Sequence, residues 1–424
     1  MTDRTVTNPG GPFRASVQVP GDKSLSHRAL ILAAMAEGDS LVNNIGPGQD
    51  VRATVAACRQ LGVTVDLPQV RSPGIRQWST PSGPIDCANS GTTMRLLAGA
   101  LSTAPISATL AGDPSLSSRP MARLTAPLRA LGGVIETAPE GTAPLRVGGV
   151  SSVRTADVRI EVASAQVRSA FELAALAADG PSTIDSPPGF RDHTERWLSA
   201  IGRGEWGEGS IFAIHPGPVP PARYDIPGDP SSAAFLWALA AIEPGSEVLT
   251  PNVSLNPGRL GFLQILEKMG AGIEAAVTDS VGGDPVGDVI VRAQSLEGTA
   301  IGGHLVAAAL DELPLVAVVA AFAEGVTTVR DATELRAKES DRIESTTQML
   351  RSLGGGIEDS ADGFSVVGTG FLNGGAIDSR GDHRIAMAGA VAGMRAQGPV
   401  TIENAQAAAV SWPGFYETLE ELWS

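Results

Sequence analysis

The chain has 424 residues, of which 43% are hydrophobic and 18% charged, and a formal net charge of −15; this excludes extended disorder and makes a polyanion such as nucleic acid an unfavourable partner. No apolar run reaches the roughly eighteen residues that cross a bilayer, and the start, MTDRTVTNPGGPF, has no apolar signal core, so a cytoplasmic protein without a membrane partner is expected. The two cysteines, Cys58 and Cys87, lie in separate segments and are expected as buried, reduced thiols instead of a disulfide framework.

A chain of this length favours two or three domains. Its first predicted helix, 24–37, runs from a polar start through an alanine-rich apolar stretch to a glycine and then β-branched residues. The same design returns near Gly91 (GTTMRLLAGALSTAP), Gln166 (QVRSAFELAALAADGPSTI), Ser231 (SSAAFLWALAAIEPGSEV), Glu312 (ELPLVAVVAAFAEGVTTV) and His383 (HRIAMAGAVAGMRAQGPVTI), at spacings of 67, 75, 65, 81 and 71 residues. Six units therefore fill the chain. Between them a more amphipathic helix ends in leucine or methionine, glycine and a strand: DVRATVAACRQLGVTV, ARLTAPLRALGGVIE, RLGFLQILEKMGAGIE and RIESTTQMLRSLGGGIE, with degraded copies at TERWLSAIG and FYETLEELW. The first helix type is apolar nearly all round and should be buried; the second has a charged face that should meet solvent.

Three units per lobe make two similar lobes, and the proline-rich tract PGPVPPARYDIPGDP is the seam, with the crossover near Gly228. We expect residues 15–227 in an N-terminal lobe, 1–14 plus 228–424 in a C-terminal lobe, and hinges near 14–20 and 225–229. Function is expected where two such lobes meet.

Standard site motifs fail. GRGEWG at 202–207 follows a helix instead of joining a strand to a helix, GDKS is no P-loop, no GxSxG or HExxH occurs, and the five histidines are scattered. What stands out is that Lys23, Arg28, Arg95, Arg168, Arg191 and Arg384 fall just before or within the first turns of predicted helices. Cations there oppose the helix dipole, so as a set they point to bound anions, although any one of them alone reads as a surface residue. In ELRAKESDRIE, residues 334–344, the spacing of Lys338, Glu339, Asp341 and Arg342 fits a solvated, salt-bridged helix start as well as a site. Asp311 is equally a helix cap or a general base.

The motifs VPGDKSLSHRALILAA, NSGTTMRLLAG, SRPMARLTAPL, SAQVRSA, RDHTERWL, IPGDPSSAAF, DELPLVAVVAAFAEG, ELRAKESDR, GDHRIAM and SWPGFYETLEEL, in this order, resemble the EPSP synthase (3-phosphoshikimate 1-carboxyvinyltransferase) family nearly end to end. The resemblance implies a mixed α/β (α+β) fold: a two-lobed inside-out α/β barrel of six βαβαββ repeats, three per lobe. It implies transfer of the enolpyruvyl group of phosphoenolpyruvate to the 5-hydroxyl of shikimate 3-phosphate, by addition and elimination of phosphate, on the route to chorismate and aromatic amino acids. It implies no cofactor, no metal and a monomer whose partners are these two small anions. By matching motifs, Lys23, Ser24, Arg28, Ser164, Ala165, Gln166, Arg191, Asp311 and Lys338 are expected at shikimate 3-phosphate. Lys23, Gly91, Arg119, Gln166, Arg342 and Arg384 are expected at phosphoenolpyruvate, with Asp311 as base, Glu339 as proton carrier and Lys23 beside them in catalysis.

Several positions depart from the family pattern. Phe190 stands at the serine of SRDHTE and is expected to cost the phosphate one hydroxyl donor; Arg168 replaces the lysine of SAQVKSA; NPGRLG replaces NPTRTG; and Val410 occupies a position where some members carry a lysine. They leave open a related enolpyruvyl transferase with another acceptor, or a binding protein without catalysis.

Overall fold

The computed structural model describes residues 2–424. Its six central helices are Lys23–Met35, Gly91–Ser102, Ala165–Ala175, Pro230–Ile242, Leu313–Ala321 and His383–Arg395. Every residue of Pro230–Ile242 and of Leu313–Ala321 is buried, and Lys23–Met35 is buried from Leu25 onward, as helices apolar on all sides require. Five of the six open on a side-chain cap: Asp22, Ser90, Ser164, Asp229 and Asp382 each accept a backbone N–H of the first turn. The helix Leu313–Ala321 instead follows directly on a 3-10 turn, Leu310–Glu312. Close packing of two of them depends on Gly99, where a Cβ would lie 2.2 Å from the carbonyl oxygen of Ala170.

The second helix type is Gln49–Gln60, Thr125–Ala130, His193–Ala200, Gly261–Lys268, Arg342–Ser352 and Phe415–Glu421. In the first of these Val51, Val55, Ala57 and Cys58 are buried while Arg52, Ala56, Arg59 and Gln60 are exposed, so one face packs and the other is solvated.

Each pair of helices serves one small sheet, and the strand order repeats. Strand Ile85–Asp86 precedes a central helix and pairs parallel with Ser107–Ala111, which follows it; Leu145–Gly148 and Ile135–Glu136 then add antiparallel. The order Asp157–Arg159, Ser182–Asp185, Phe212–Ile214, Gly204–Trp206 repeats it, as does Ala300–Ile301, Val326–Val329, Gly363–Val367, Gly356–Ser360. In the first repeat the parallel partner of Glu37–Asn43 is Arg223–Asp225, from the far end of the lobe's sequence. In the fourth, Arg14–Ser16 takes that place beside Glu247–Ser254. The last sheet has three strands, with Arg4–Val6 antiparallel to Val400–Glu403, which pairs parallel with Gly375–Asp378.

The chain divides into two compact units, Gly21–Pro227 with Ser280–Asp284, and the chain up to Pro20 with Gly228–Asp279 and Pro285–Ser424. Each has its own apolar core: one built from Leu25 to Ile226, the other from Val6, Phe13, Val19 and residues after Ala233. Ser280–Asp284 is a short excursion into the N-terminal unit, where Asp284 is buried against the His193 ring, 3.0 Å from Nδ1. Its glycine backbone passes so close to Trp197 that a Cβ on Gly282 would sit 2.4 Å from the indole. Nothing in sequence periodicity marks this segment, because its partners lie about ninety residues away.

Cys58 and Cys87 are free and buried, and burial pushes both thiols up to about 12. No helix among the described residues is long and apolar enough to cross a membrane.

His27, inside the first central helix, is fully buried, and its Nδ1 lies 2.7 Å from the Thr54 hydroxyl, which meets Thr93 at 2.7 Å. Burial drives its pKa from 6.5 down to about 3. Below about pH 6.5 the unfolded chain takes a proton that the folded one refuses, so folding loses stability as pH falls, by about 2 kcal/mol at pH 5. His27→Gln should remove about that much of the loss between pH 7.5 and pH 5, measured by denaturant unfolding. Equal losses in both proteins would assign the acid sensitivity elsewhere.

Candidate active site

In the N-terminal unit three helix starts are laced together by side chains. Lys23 is the first residue of its helix and reaches Asp50 Oδ2 at 3.2 Å while remaining 27% exposed. Arg28, one turn on, is buried; it donates to the carbonyl of Ser24 at 3.0 Å, Thr194 Oγ1 at 2.8 Å and Ser169 Oγ at 2.9 Å. Its guanidinium therefore fixes Ser24 and the Ser169–Thr194 pair, whose hydroxyls are 2.7 Å apart.

Gly91, at the start of the second helix, sits beside two guanidinium groups: a Cβ there would lie 2.8 Å from Arg95 Nη1 and 3.7 Å from Arg119 Nη1. Arg95 Nη1 donates to Gln166 Oε1 at 2.6 Å, the Gln166 amide donates to Thr92 Oγ1 at 3.0 Å, and Arg119 is held by Asn89 Oδ1 at 2.7 Å. Burial first, and then the charges of Arg119 and Arg123, lower Arg95 to about 10. Crowded cations beside a helix N-terminus form a local positive field inside an acidic protein, the electrostatic requirement of an anion site. Ser164 caps the third helix, placing Ala165 and Gln166 in its first turn. Arg191 lies half-buried in the 186–192 loop that leads to the helix His193–Ala200.

In the C-terminal unit a buried arginine collects the acids. Arg342 begins the helix Arg342–Ser352, is 1% exposed, and binds three carboxylates: Asp382 Oδ2 at 2.9 Å, Glu339 Oε2 at 2.6 Å and Asp311 Oδ1 at 3.2 Å. Lys338 also approaches Asp311, at 3.5 Å. The Glu339–Arg342 pair allowed by helical spacing is thus present, but its arginine is in the interior and Lys338 turns to an acid 27 residues away. A solvated salt-bridged helix start has neither property. Asp341 caps the helix through the N–H groups of Ile343 and Glu344, and is held by Arg336 at 2.6 Å. Arg384 is buried, donates to the Ser231 carbonyl at 3.2 Å, pairs with Glu312 at 3.5 Å and lies 5.7 Å from the Phe235 ring centroid.

Asp50 in the N-terminal unit, and Asp382 and Arg259 in the C-terminal one, support these groups, and the sequence pattern gives none of them a role; Arg95 counts there only among the helix-start cations. Asp382 is fully buried, accepts the Arg384 N–H at 2.9 Å, and receives Arg342 and the Ser340 hydroxyl. Burial raises its pKa, but the Arg342 charge and other donors outweigh this and hold it below the usual carboxylate range. Its position just before HRIAM was the available signal, since an aspartate there caps a helix. Arg259, in the divergent NPGRLG, pairs with Asp229 at 2.7 Å and bonds Ser231 Oγ at 2.8 Å. Val410 is half-buried at the end of the turn Ala405–Val410 and brings no charge. Among the described residues no group of three or more His, Cys, Asp or Glu is placed to hold a metal ion.

A family model described as EPSP synthase (3-phosphoshikimate 1-carboxyvinyltransferase) matches residues 7–419. The chain belongs to this family. Among its relatives, a 3-phosphoshikimate 1-carboxyvinyltransferase of Chloroflexus aurantiacus is 45% identical, over 96% of each chain. One from Halorhodospira halophila is 44% identical, over 98% of this chain and 95% of its own. The solved EPSP synthase from Acinetobacter baumannii superposes with a TM-score of 0.89 at 36% identity, covering 100% of this chain and 98% of that one. The two-lobed α/β architecture expected from the six-fold repeat is therefore the architecture of the EPSP synthase family.

Breaking one partner of a buried charge cluster leaves the other uncompensated. Asp382→Ala should cost about 3–5 kcal/mol in denaturant unfolding, with Asp382→Asn, which keeps the helix cap, clearly milder. A loss below about 1 kcal/mol would show that Arg342 does not depend on it.

Proposed function

We infer that the protein transfers the 1-carboxyvinyl group of phosphoenolpyruvate to the 5-hydroxyl of shikimate 3-phosphate, releasing phosphate. Membership of the EPSP synthase family over residues 7–419 supports the reaction, and the observation that carries the assignment of residues is the Arg342 cluster, which holds Asp311 and Glu339 on one guanidinium.

The chemistry asks for two proton movements. The methylene carbon of phosphoenolpyruvate gains a proton while the acceptor hydroxyl loses one as its oxygen bonds to C2, giving a tetrahedral adduct. That adduct then loses phosphate from C2 and a proton from the methyl group, restoring the double bond. No electrons leave or enter, and no covalent bond to the protein forms. In this reading Asp311 takes the hydroxyl proton and Glu339 carries the proton to and from carbon. Lys338 and Arg342 hold Asp311 in place, and Arg342 orients Glu339. Lys23, Arg119, Arg342 and Arg384 offset the charge of phosphoenolpyruvate, with Gly91 and Gln166 alongside. Lys23, Ser24, Arg28, Ser164, Ala165, Gln166, Arg191, Asp311 and Lys338 receive shikimate 3-phosphate. Because Arg342 already binds Asp311 and Glu339, its role toward phosphoenolpyruvate includes positioning both acids. The family and the relatives' names favour this acceptor over another one, and catalysis over binding alone.

Phosphate release with phosphoenolpyruvate and shikimate 3-phosphate tests the reaction itself. Asp311→Asn and Glu339→Gln keep shape without acid–base capacity and should lower kcat roughly 10²–10⁴-fold with modest changes in KM. In heavy water the wild type should place deuterium in the transferred group and Glu339→Gln should do so far more slowly; labelling at the wild-type rate would remove Glu339 from catalysis. Gly91→Ala acts differently. Its Cβ would meet the flexible end of Arg95 at 2.8 Å and displace it, so KM for phosphoenolpyruvate should rise about 5–30-fold, a loss of about 1–2 kcal/mol, with the melting temperature nearly unchanged. An unaltered KM would place Gly91 away from that substrate.

A further inference from the structure

Two of the departures from the family pattern, Arg168 and Phe190, touch each other. Arg168 is completely buried on the helix Ala165–Ala175. Its Nε donates to Glu195 Oε1 at 2.6 Å, and its Nη1 donates to Ser186 Oγ at 3.0 Å and to the Ser210 carbonyl at 3.1 Å. Its Nη2 has no hydrogen-bond acceptor among the described residues. What covers the guanidinium is aromatic: the Phe190 ring centroid is 4.1 Å from Cζ and the Trp206 ring 5.7 Å, with the two rings stacked at 25°. A planar cation in a dry site with one amino group lacking an acceptor is stabilised by a π face in place of a hydrogen bond. Where the sequence suggests only a missing phosphate donor at Phe190, the ring is in fact seated on Arg168.

The contacts of Arg168 bracket one short loop. Ser186 opens the 186–192 segment, Phe190 lies within it, and Glu195 sits in the first turn of the helix that follows. Arg191 is the residue between these anchors. Thr194, in the same turn, holds Arg28. We propose that Arg168, capped by Phe190 and Trp206, is a positioning residue that fixes the backbone carrying Arg191 for recognition of the acceptor's phosphate, and that Phe190 and Arg168 work as a pair. Two acids complete the cluster, Glu195 and Glu172, the latter 3.7 Å from Arg168 Nε. Burial first, then the charge of Glu195, pushes Glu172 well above the usual carboxylate range.

The inference rests on the proposed reaction only for the identity of the phosphate ligand, and its test has two arms. The first uses shikimate 3-phosphate with the full-length enzyme. Phe190→Ser and Arg168→Lys should each raise KM and the calorimetric Kd for shikimate 3-phosphate about ten-fold, while kcat and KM for phosphoenolpyruvate stay within about two-fold. Phe190→Tyr keeps the π face and should restore wild-type values. In the double variant the second change should add little, because each single variant already breaks the same contact. The second arm needs no substrate: backbone amide exchange in 186–192 should accelerate in both single variants and not in Phe190→Tyr. Equal or tighter binding of shikimate 3-phosphate by Phe190→Ser, equal losses for both substrates, or unchanged exchange would overturn the proposal. A wild type that ignored shikimate 3-phosphate would instead defeat the acceptor assignment, with the exchange arm still deciding the role of Arg168.

Discussion

A helix that is apolar on every side can be stable in water only if something else surrounds it, and this protein solves that problem six times. Each central helix is enclosed by a small sheet and an amphipathic helix, and packing them in threes buries a common core in each unit. The consequence for chemistry is at the helix ends. Burying the helices side by side gathers their N-termini, each with free N–H groups and the positive end of a dipole. In the N-terminal unit the contacts of Arg28 with Ser169 and of Gln166 with Thr92 show the three starts laced together. In the C-terminal unit Arg384 does the same between Ser231 and Glu312. The architecture thus supplies positive helix ends before any particular residue is chosen.

Arginine and lysine then sharpen the field, at a cost to the fold. A buried guanidinium must be given acceptors or a π face, and each unit provides them in its own way. Arg342 takes three carboxylates, which makes it the common support of Asp311 and Glu339 as well as of the cap Asp382. Arg168 takes one close carboxylate, a hydroxyl, a carbonyl and two aromatic faces. One of the acids that support these cations, Asp382, is itself a helix cap, so stability and site geometry share that residue.

Much of this was legible from the chain alone. Apolar periodicity marked all six central helices and their six amphipathic companions, because a buried helix must be written as a continuous apolar segment. The cations at the helix starts were visible as charges placed against a dipole, and ordered motifs tied them to a family with known substrates. Asp382 and Arg259 were not singled out, since a cap and its salt bridge look like any other Asp or Arg until the partner is known. For the same reason Glu339 and Arg342 could not be told from a solvated helix pair.

The sequence by itself determined the repeat, the burial of its helices and the set of charged residues, since these are local properties of pattern and composition. Only the tertiary structure decided which charges meet. The pairing of Lys338 with Asp311, the return of Ser280–Asp284 to His193 and Trp197, the supply of Arg223–Asp225 and Arg14–Ser16 to first repeats far from them in sequence, and the seating of Phe190 on Arg168 all join distant segments. Such contacts are set by the packing of whole layers, and hydrophobic period carries no information about which partner a side chain will find.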